Sequence, residues 1–133
     1  MIKQVINVDN YWKIIVYYNV DYNLFSYIAK DLYNIEVSNK LIKRTFYNMY
    51  NHKAKAVTIS SQYYKTSVIL FNKHKSKYDY LNSIIHEAEH VKQAMLKAYN
   101  VEDEDEPPAY TIGFIGMKML ESKLIKNLTL NNM

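Results

Sequence analysis

The spacing of apolar residues divides the first part of the chain into one strand and two helices. Residues 11–20 are rich in β-branched and aromatic side chains, which is typical of a strand. Asp21 or Asn23 can then cap a helix in which apolar residues recur at helical spacing as far as about Tyr33. Ser38 is the next capping residue, and a second helical periodicity begins there.

The middle of the chain predicts a hairpin followed by a long helix. Residues 54–60 and 63–72 both favour strands, and the polar link between them favours a β-hairpin. Helical periodicity resumes near residues 78–98, where it predicts a helix that buries one apolar arc. That arc consists of Tyr80, Leu81, Ile84, Ala88, Val91 and Met95.

The last part of the chain predicts a second long helix. Residues 102–106 are all acidic and precede two prolines, a combination that favours a helix start, and the helix should run to about Asn127. Both glycines of the protein, Gly113 and Gly116, fall in this helix, where each costs about 1 kcal/mol relative to Ala. We expect close approach to the preceding helix to offset that cost.

These elements fit a single α+β domain over residues 1–133. The length suits one core and is small for two, and the 49% hydrophobic content is typical of a globular protein. We expect a small antiparallel sheet packed on the helix near 78–98 and on the helix that follows it. The longest apolar runs are too short to span a membrane, so we expect no membrane segment.

Outside one run of acidic residues, the chain carries an excess of basic residues. The formal net charge is +4, although five of the 13 acidic residues lie in 102–106. A lysine-rich surface could meet nucleic acid, but the chain has a single arginine, the residue type that dominates phosphate and base recognition. We therefore interpret the basicity as solvated surface and expect no nucleic-acid partner.

The chemistry-bearing motif is His86-Glu87-Ala88-Glu89-His90. Two histidines four residues apart lie on one face of a helix and can bind one metal ion, while Glu87 can act on a water molecule beside it. Both histidines fall off the apolar arc, as a site open to substrate requires. Because the chain contains no cysteine, histidine and carboxylate must hold the metal, and the pattern indicates catalytic Zn²⁺.

A catalytic zinc site usually has three protein ligands, so the motif needs one more. Gln93 and Leu96 stand where a glycine and a third histidine would extend the motif in one group of zinc proteases. That leaves a carboxylate from the next helix, for which Glu106 is the first choice and Glu104 the second. The alternative is that the acidic run is only a solvated loop that favours the helix dipole.

The motif, the acidic loop and the following Glu-Pro-Pro-Ala-Tyr-Thr-Ile-Gly resemble small zincin-like metallopeptidase domains over about residues 54–127. The glutamate three residues before an alanine is similar to the ImmA/IrrE peptidase group. The Glu-x-x-Ala-Tyr-x-x-Gly form also resembles compact HExxH proteins of tailed, crAss-like phages. This resemblance implies a hairpin or small sheet on the motif helix, with an edge strand where an extended peptide can lie.

If the site is catalytic, its chemistry assigns roles to several residues. Glu87 accepts a proton from water and passes it to the leaving amine. Tyr110 is the first candidate to donate a hydrogen bond to the oxyanion, ahead of His74 and His52, both of which sit in lysine-rich stretches that favour solvated side chains. Residues 67–71 are a candidate for binding substrate by strand addition, or else form a buried core strand.

The sequence leaves competing functions open. The first is a zinc metallopeptidase that acts on a peptide or protein substrate. The second is a structural or interaction protein on the same scaffold, such as a phage virion or tail component, assembled as a homo- or hetero-oligomer, with a vestigial site or one used only in assembly. The third is a nucleic-acid-binding protein. The N-terminus lacks signal-peptide features, so we expect the cytoplasm of a bacterium or phage-infected host, or a phage virion.

Overall fold

The computed structural model describes residues 1–99, 115, 116, 118 and 119. Over this range the protein is an α+β structure with four strands and three helices. The elements are β1 (Ile2–Val8), β2 (Trp12–Tyr18), a 3₁₀ turn (Tyr22–Leu24), α1 (Phe25–Asn34), α2 (Asn39–Tyr50), β3 (Ala56–Ser61), β4 (Thr66–Phe71) and α3 (Lys77–Tyr99).

The predicted cap Ser38 is confirmed for α2, whereas Asp21 caps the 3₁₀ turn and α1 begins after Leu24 without a side-chain cap. The Asp21 carboxylate accepts a hydrogen bond from the Asn23 N–H at 3.0 Å, and the Ser38 hydroxyl accepts one from the Leu41 N–H at 3.2 Å. Each cap satisfies a backbone donor that the first helical turn leaves without a partner. α2 therefore begins directly after its predicted cap, whereas a 3₁₀ turn separates Asp21 from α1.

The sheet has the order β1-β2-β4-β3, and the prediction that it is antiparallel is wrong at its centre. β1 pairs with β2 and β3 pairs with β4 in antiparallel fashion, whereas β2 and β4 are parallel. The segment between them contains α1, α2 and β3, which is long enough for the crossover that a parallel pair requires. The predicted hairpin between the last two strands is confirmed.

The first strand was not predicted. Along β1 the inward positions Ile2, Ile6 and Val8 alternate with exposed residues, but Gln4 interrupts the apolar set. The Gln4 side chain is satisfied in the interior, because its Oε1 accepts from Tyr18 Oη at 2.7 Å and its Nε2 donates to the Lys118 carbonyl at 2.7 Å. Because Gln4 is a polar residue at an inward position, the apolar alternation that predicts a strand is incomplete in β1.

Helices cover both faces of the sheet and form two separate cores. α1 and α2 pack on one face, where the buried side chains include Phe25, Ile28, Leu32, Met49, Val68 and Leu70. α3 packs on the other face with β1, β2 and β4, and the buried side chains there include Trp12, Ile14, Val16, Ile69, Tyr80, Ile84, Ala88 and Val91. Because both faces are covered, every residue of β4 is buried.

Part of the predicted C-terminal helix is described. Residues 115, 116, 118 and 119 are helical, and Ile115 and Met119 are fully buried in the same core as α3. Among the residues that the structure describes, a Cβ atom added at Gly116 would have no neighbour within 4 Å, so the close contact with α3 predicted for this glycine is wrong. Gly113 lies outside the described residues. No helix in the described ranges is long and apolar enough to cross a membrane.

Candidate metal centre

Helix α3 brings the two motif histidines together on its exposed side. The Nε2 atoms of His86 and His90 are 3.2 Å apart, and their ring centroids are 4.8 Å apart. Two nitrogens bound to one tetrahedral zinc at about 2.0–2.1 Å lie roughly 3.3–3.4 Å from each other. The observed separation therefore fits shared metal binding, although a hydrogen bond between the two imidazoles would give the same distance.

Glu87 lies between these histidines but points toward the sheet. Only 3% of its surface is exposed, and its Oε2 accepts a hydrogen bond from Thr58 Oγ1 at 3.2 Å. One ligand atom from each of His86, Glu87 and His90 lies within 4.8 Å of the others. This His-Glu-His group could hold a metal ion, and among the described residues no other group of this kind is present.

The environment of Glu87 affects its protonation. Burial raises the pKa of this carboxyl above its ordinary value, because the charged form loses hydration. The charge of His90 and the hydrogen bond from Thr58 offset part of that rise. A carboxylate with a raised pKa is a better proton acceptor than an exposed one, which suits the general-base role predicted for Glu87.

A groove runs between strand β3 and helix α3, and the metal-binding group lies in it. We call it the metal groove; its volume is about 500 Å³, within the range of small-molecule and peptide-side-chain sites. Thr58 and Lys55 line it from the strand side, while Asn82 and Ser83 join the motif residues on the helix side. The groove is open to solvent, so a peptide chain can enter it.

β3 is an edge strand, since it pairs with β4 and no other described strand. Ala56 is opposite Phe71, so the next pair along the ladder is Lys55 and Asn72. This pair is hydrogen-bonded, because the Asn72 N–H donates to the Lys55 carbonyl at 3.0 Å. Bonded and non-bonded pairs alternate along an antiparallel ladder. The backbone groups that point away from β4 are therefore those of Ala56, Thr58 and Ser60.

The prediction that residues 67–71 add a substrate strand is wrong, and the buried-strand alternative is confirmed. β4 lies between β2 and β3, so its backbone groups on both sides are already paired. The edge available next to the metal groove belongs to β3 instead. Sequence patterns could not reveal this order, because β2 and β4 are separated by nearly fifty residues.

His74 and His52, the lesser candidates for an oxyanion donor, occupy different environments. His74 is buried, contrary to the prediction that it is solvated. Its Nδ1 bonds the Asn72 carbonyl at 2.6 Å, its Nε2 bonds Ser83 Oγ at 2.7 Å, and its ring stacks on Tyr80. These contacts leave neither nitrogen for a substrate and tie the start of α3 to the end of β4. His52 is exposed, as predicted.

The remaining predicted site residues lie outside the described residues. These are the third-ligand candidates Glu106 and Glu104 and the oxyanion donor Tyr110. Their roles stay predictions. The described histidines and carboxylate fit zinc by donor type, because imidazole and carboxylate are among its usual ligands.

Thr58 is the site residue that the sequence did not reveal. It reaches Glu87 across 29 residues of chain, a separation that no local pattern encodes. The burial of Glu87, in contrast, had a signal in the sequence. Glu87 is three residues after Ile84 and four before Val91, both in the apolar arc, so helical spacing places it on the buried side.

Comparisons with protein-family models, with curated proteins and with solved structures found no match for this chain. The function of the chain is therefore inferred from the residues of the metal groove and from the edge strand beside it.

Proposed function

We propose that the protein is a zinc-dependent metallopeptidase with a zincin-like site. The observation that carries this proposal is the 3.2 Å approach of the His86 and His90 Nε2 atoms beside a buried glutamate and an edge strand. Peptide hydrolysis by a zinc site needs three features: a helix with this motif, a carboxylate that can act on water, and a strand edge that can pair with the substrate backbone.

Each residue of the proposed site has a distinct role in hydrolysis. When bound, zinc would lower the pKa of water and polarise the scissile carbonyl. Glu87 accepts the proton of the attacking water and transfers it to the leaving amine, a general acid–base role. Thr58 holds the Glu87 carboxylate in position through its hydroxyl. Tyr110 is proposed to donate a hydrogen bond to the oxyanion.

The third zinc ligand is proposed to be Glu106. The described residues bring two histidines and one carboxylate, that of the base Glu87, to the groove, and zinc commonly takes a third protein ligand. Glu106 is the last carboxylate before the two prolines, at the predicted start of the next helix. Glu104 is the alternative ligand within the same acidic run.

The substrate is proposed to be an extended peptide or protein segment paired with β3. The outward N–H and C=O groups of Thr58 lie on the same residue whose hydroxyl contacts Glu87. A segment that pairs with this part of the edge is therefore held next to the base. Main-chain pairing binds any sequence, so the selection of particular sequences must come from side chains beside the edge strand.

Activity against a peptide library tests this proposal with a matched pair of variants. Glu87→Gln should lower cleavage by at least about 100-fold, the lower range for loss of a general base. Glu89→Gln is the control, because Glu89 is on the same helix and its carboxylate binds Lys92 at 2.8 Å instead of facing the groove. Equal activity of the wild type and Glu87→Gln would contradict the proposal.

A second candidate function is a structural or interaction protein, such as a phage virion component, on the same scaffold. The observation that favours it is that nine tyrosines are exposed in the described ranges, since tyrosine is enriched at protein interfaces. Light scattering on the purified chain tests it. A stable oligomer that Glu87→Gln leaves intact, without peptide cleavage by the wild type, would replace the first candidate with this one.

A further inference from the structure

A second groove follows the opposite side of the same edge strand. It lies between helix α2 and β3, has a volume of about 440 Å³, and is called here the α2 groove. Its floor contains the buried residues Thr45 and Met49, and most of its lining is apolar. Val57 and Thr58 line both this groove and the metal groove. The two grooves thus lie on either side of the same part of the edge strand.

The alternation of side chains along β3 assigns its residues to the two sides. Thr58 contacts Glu87 on the α3 side, whereas Val57 and Ile59 pack in the core on the α1–α2 side. A strand added to this edge follows the same alternation, because paired residues place their side chains on the same face. A peptide residue paired with Thr58 would direct its side chain toward the metal groove. Its two neighbours would direct theirs toward the α2 groove.

Arg44 is the charged residue that lines the α2 groove. It is the only arginine of the chain, its side chain is exposed, and among the described residues it has no carboxylate partner. The other groove contains a second cation, Lys55. Over residues 1–99 the chain has 14 lysines and arginines against seven aspartates and glutamates. The cation that lines each groove therefore favours an anionic partner at the edge strand.

We infer that the α2 groove is a side-chain subsite in which Arg44 selects an aspartate or glutamate of an extended peptide bound along β3. The acidic residue is next to the one that pairs with Thr58, so it faces away from the metal groove. The guanidinium offers two parallel N–H donors to a carboxylate, a geometry that a lysine does not provide. This inference rests on the proposed function, because it names the substrate class of the same site.

The probes for the test are short fluorescent peptides of mixed sequence, with one position fixed as Glu, Gln or Lys. Binding is measured by anisotropy on the full chain carrying Glu87→Gln with zinc, so that turnover does not consume the probe. We expect Glu probes to bind about fivefold more tightly than Gln probes, the upper range for a solvent-exposed ion pair. Arg44→Gln should abolish that preference, and Arg44→Glu should reverse it in favour of Lys probes.

Lys43→Gln is the matched control, because Lys43 is the exposed cation beside Arg44 in α2 but does not line the groove. It should keep the preference for Glu probes. A preference that Arg44→Gln leaves unchanged, or that Lys43→Gln removes equally, would overturn the subsite. So would the absence of peptide binding. If the chain self-associates and Arg44→Glu separates the copies, the occupant is a second copy and the peptide subsite is also overturned.

Cleavage by the chain with an intact Glu87 separates this inference from the proposed function. If peptides bind in an Arg44-dependent way but the chain with an intact Glu87 does not cleave them, the peptidase function is removed and the subsite remains. In the opposite case, the wild type and Arg44→Gln both cleave peptides, and neither favours substrates with an acidic residue beside the one that pairs with Thr58. That result would leave the peptidase function and remove the subsite.

Discussion

The hydroxyl of Thr58 donates to the carboxylate of Glu87, and this contact joins the edge strand to the motif helix. It spans 29 residues and measures 3.2 Å between Oγ1 and Oε2. Because Glu87 is almost completely buried, the hydroxyl replaces part of the hydration that its carboxylate loses. One residue thus holds the base in place and also presents its backbone to the free edge of the sheet.

Thr58→Val should therefore weaken both folding and catalysis. The substitution keeps the shape of the side chain but leaves a buried carboxylate oxygen without this donor, which costs about 1–3 kcal/mol in the free energy of unfolding. Denaturant titration in the presence of a chelator measures that cost without a contribution from metal. Thr58→Ser, which retains the hydroxyl, should recover most of the stability and activity. Equal loss in both variants would mean that the hydroxyl is not what matters.

The stability of the metal-free protein should depend on pH through Glu87. Burial raises the pKa of its carboxyl in the folded state, so folding favours the protonated form. The folded state therefore loses stability as the pH rises from the unfolded-state value, about 4.3, through the raised folded-state pKa. Glu87→Gln removes this penalty, so the variant should gain stability over the wild type as the pH rises toward 7.

Chemical denaturation of the metal-free wild type and of Glu87→Gln at a series of pH values measures that gain. Glu89→Gln serves as the control, because the Glu89 side chain is 46% exposed and its substitution should give no comparable trend. A stability difference between the wild type and Glu87→Gln that stays constant from pH 4 to pH 7 would contradict the buried-carboxylate account.

Much of the fold follows from local signals, and the rest depends on distant contacts. Ser38 caps α2 because its hydroxyl reaches a backbone N–H three residues on, and the two histidines meet because one helical turn separates them. The parallel pairing of β2 with β4 and the contact of Thr58 with Glu87 instead join residues far apart in the chain. Local periodicity has no information about such pairs.

A buried hydrogen-bond chain on the α3 side of the sheet should contribute to stability independently of the metal. Trp12 Nε1 donates to Ser67 Oγ at 2.8 Å, and the Ser60 and Ser67 hydroxyls are 2.6 Å apart. Ser67→Ala leaves the buried indole N–H without an acceptor and should cost about 1–3 kcal/mol in unfolding free energy. Ser60→Ala should cost less, because Ser67 still accepts from Trp12. The reverse order of the two losses would contradict this reading.

The identity of the third ligand can be decided by paired substitutions. Glu106→Gln should lower zinc affinity more than about 100-fold, because even indirect partners of a zinc ligand contribute 10–100-fold. Glu104→Gln should leave the affinity close to that of the wild type, because the proposal assigns Glu104 no bond to the metal. Competition with a chromophoric chelator measures both. A larger loss in Glu104→Gln would transfer the ligand role to Glu104.

The zinc content of the purified chain tests the central proposal most directly. Elemental analysis after gel filtration should find one zinc per chain in the wild type, and zinc should be lost in His86→Ala and in His90→Ala. His52→Ala, which changes an exposed histidine away from the motif, should retain the wild-type content. Wild-type protein that binds no zinc even after incubation with the metal, or His86→Ala that binds as much as the wild type, would contradict the account.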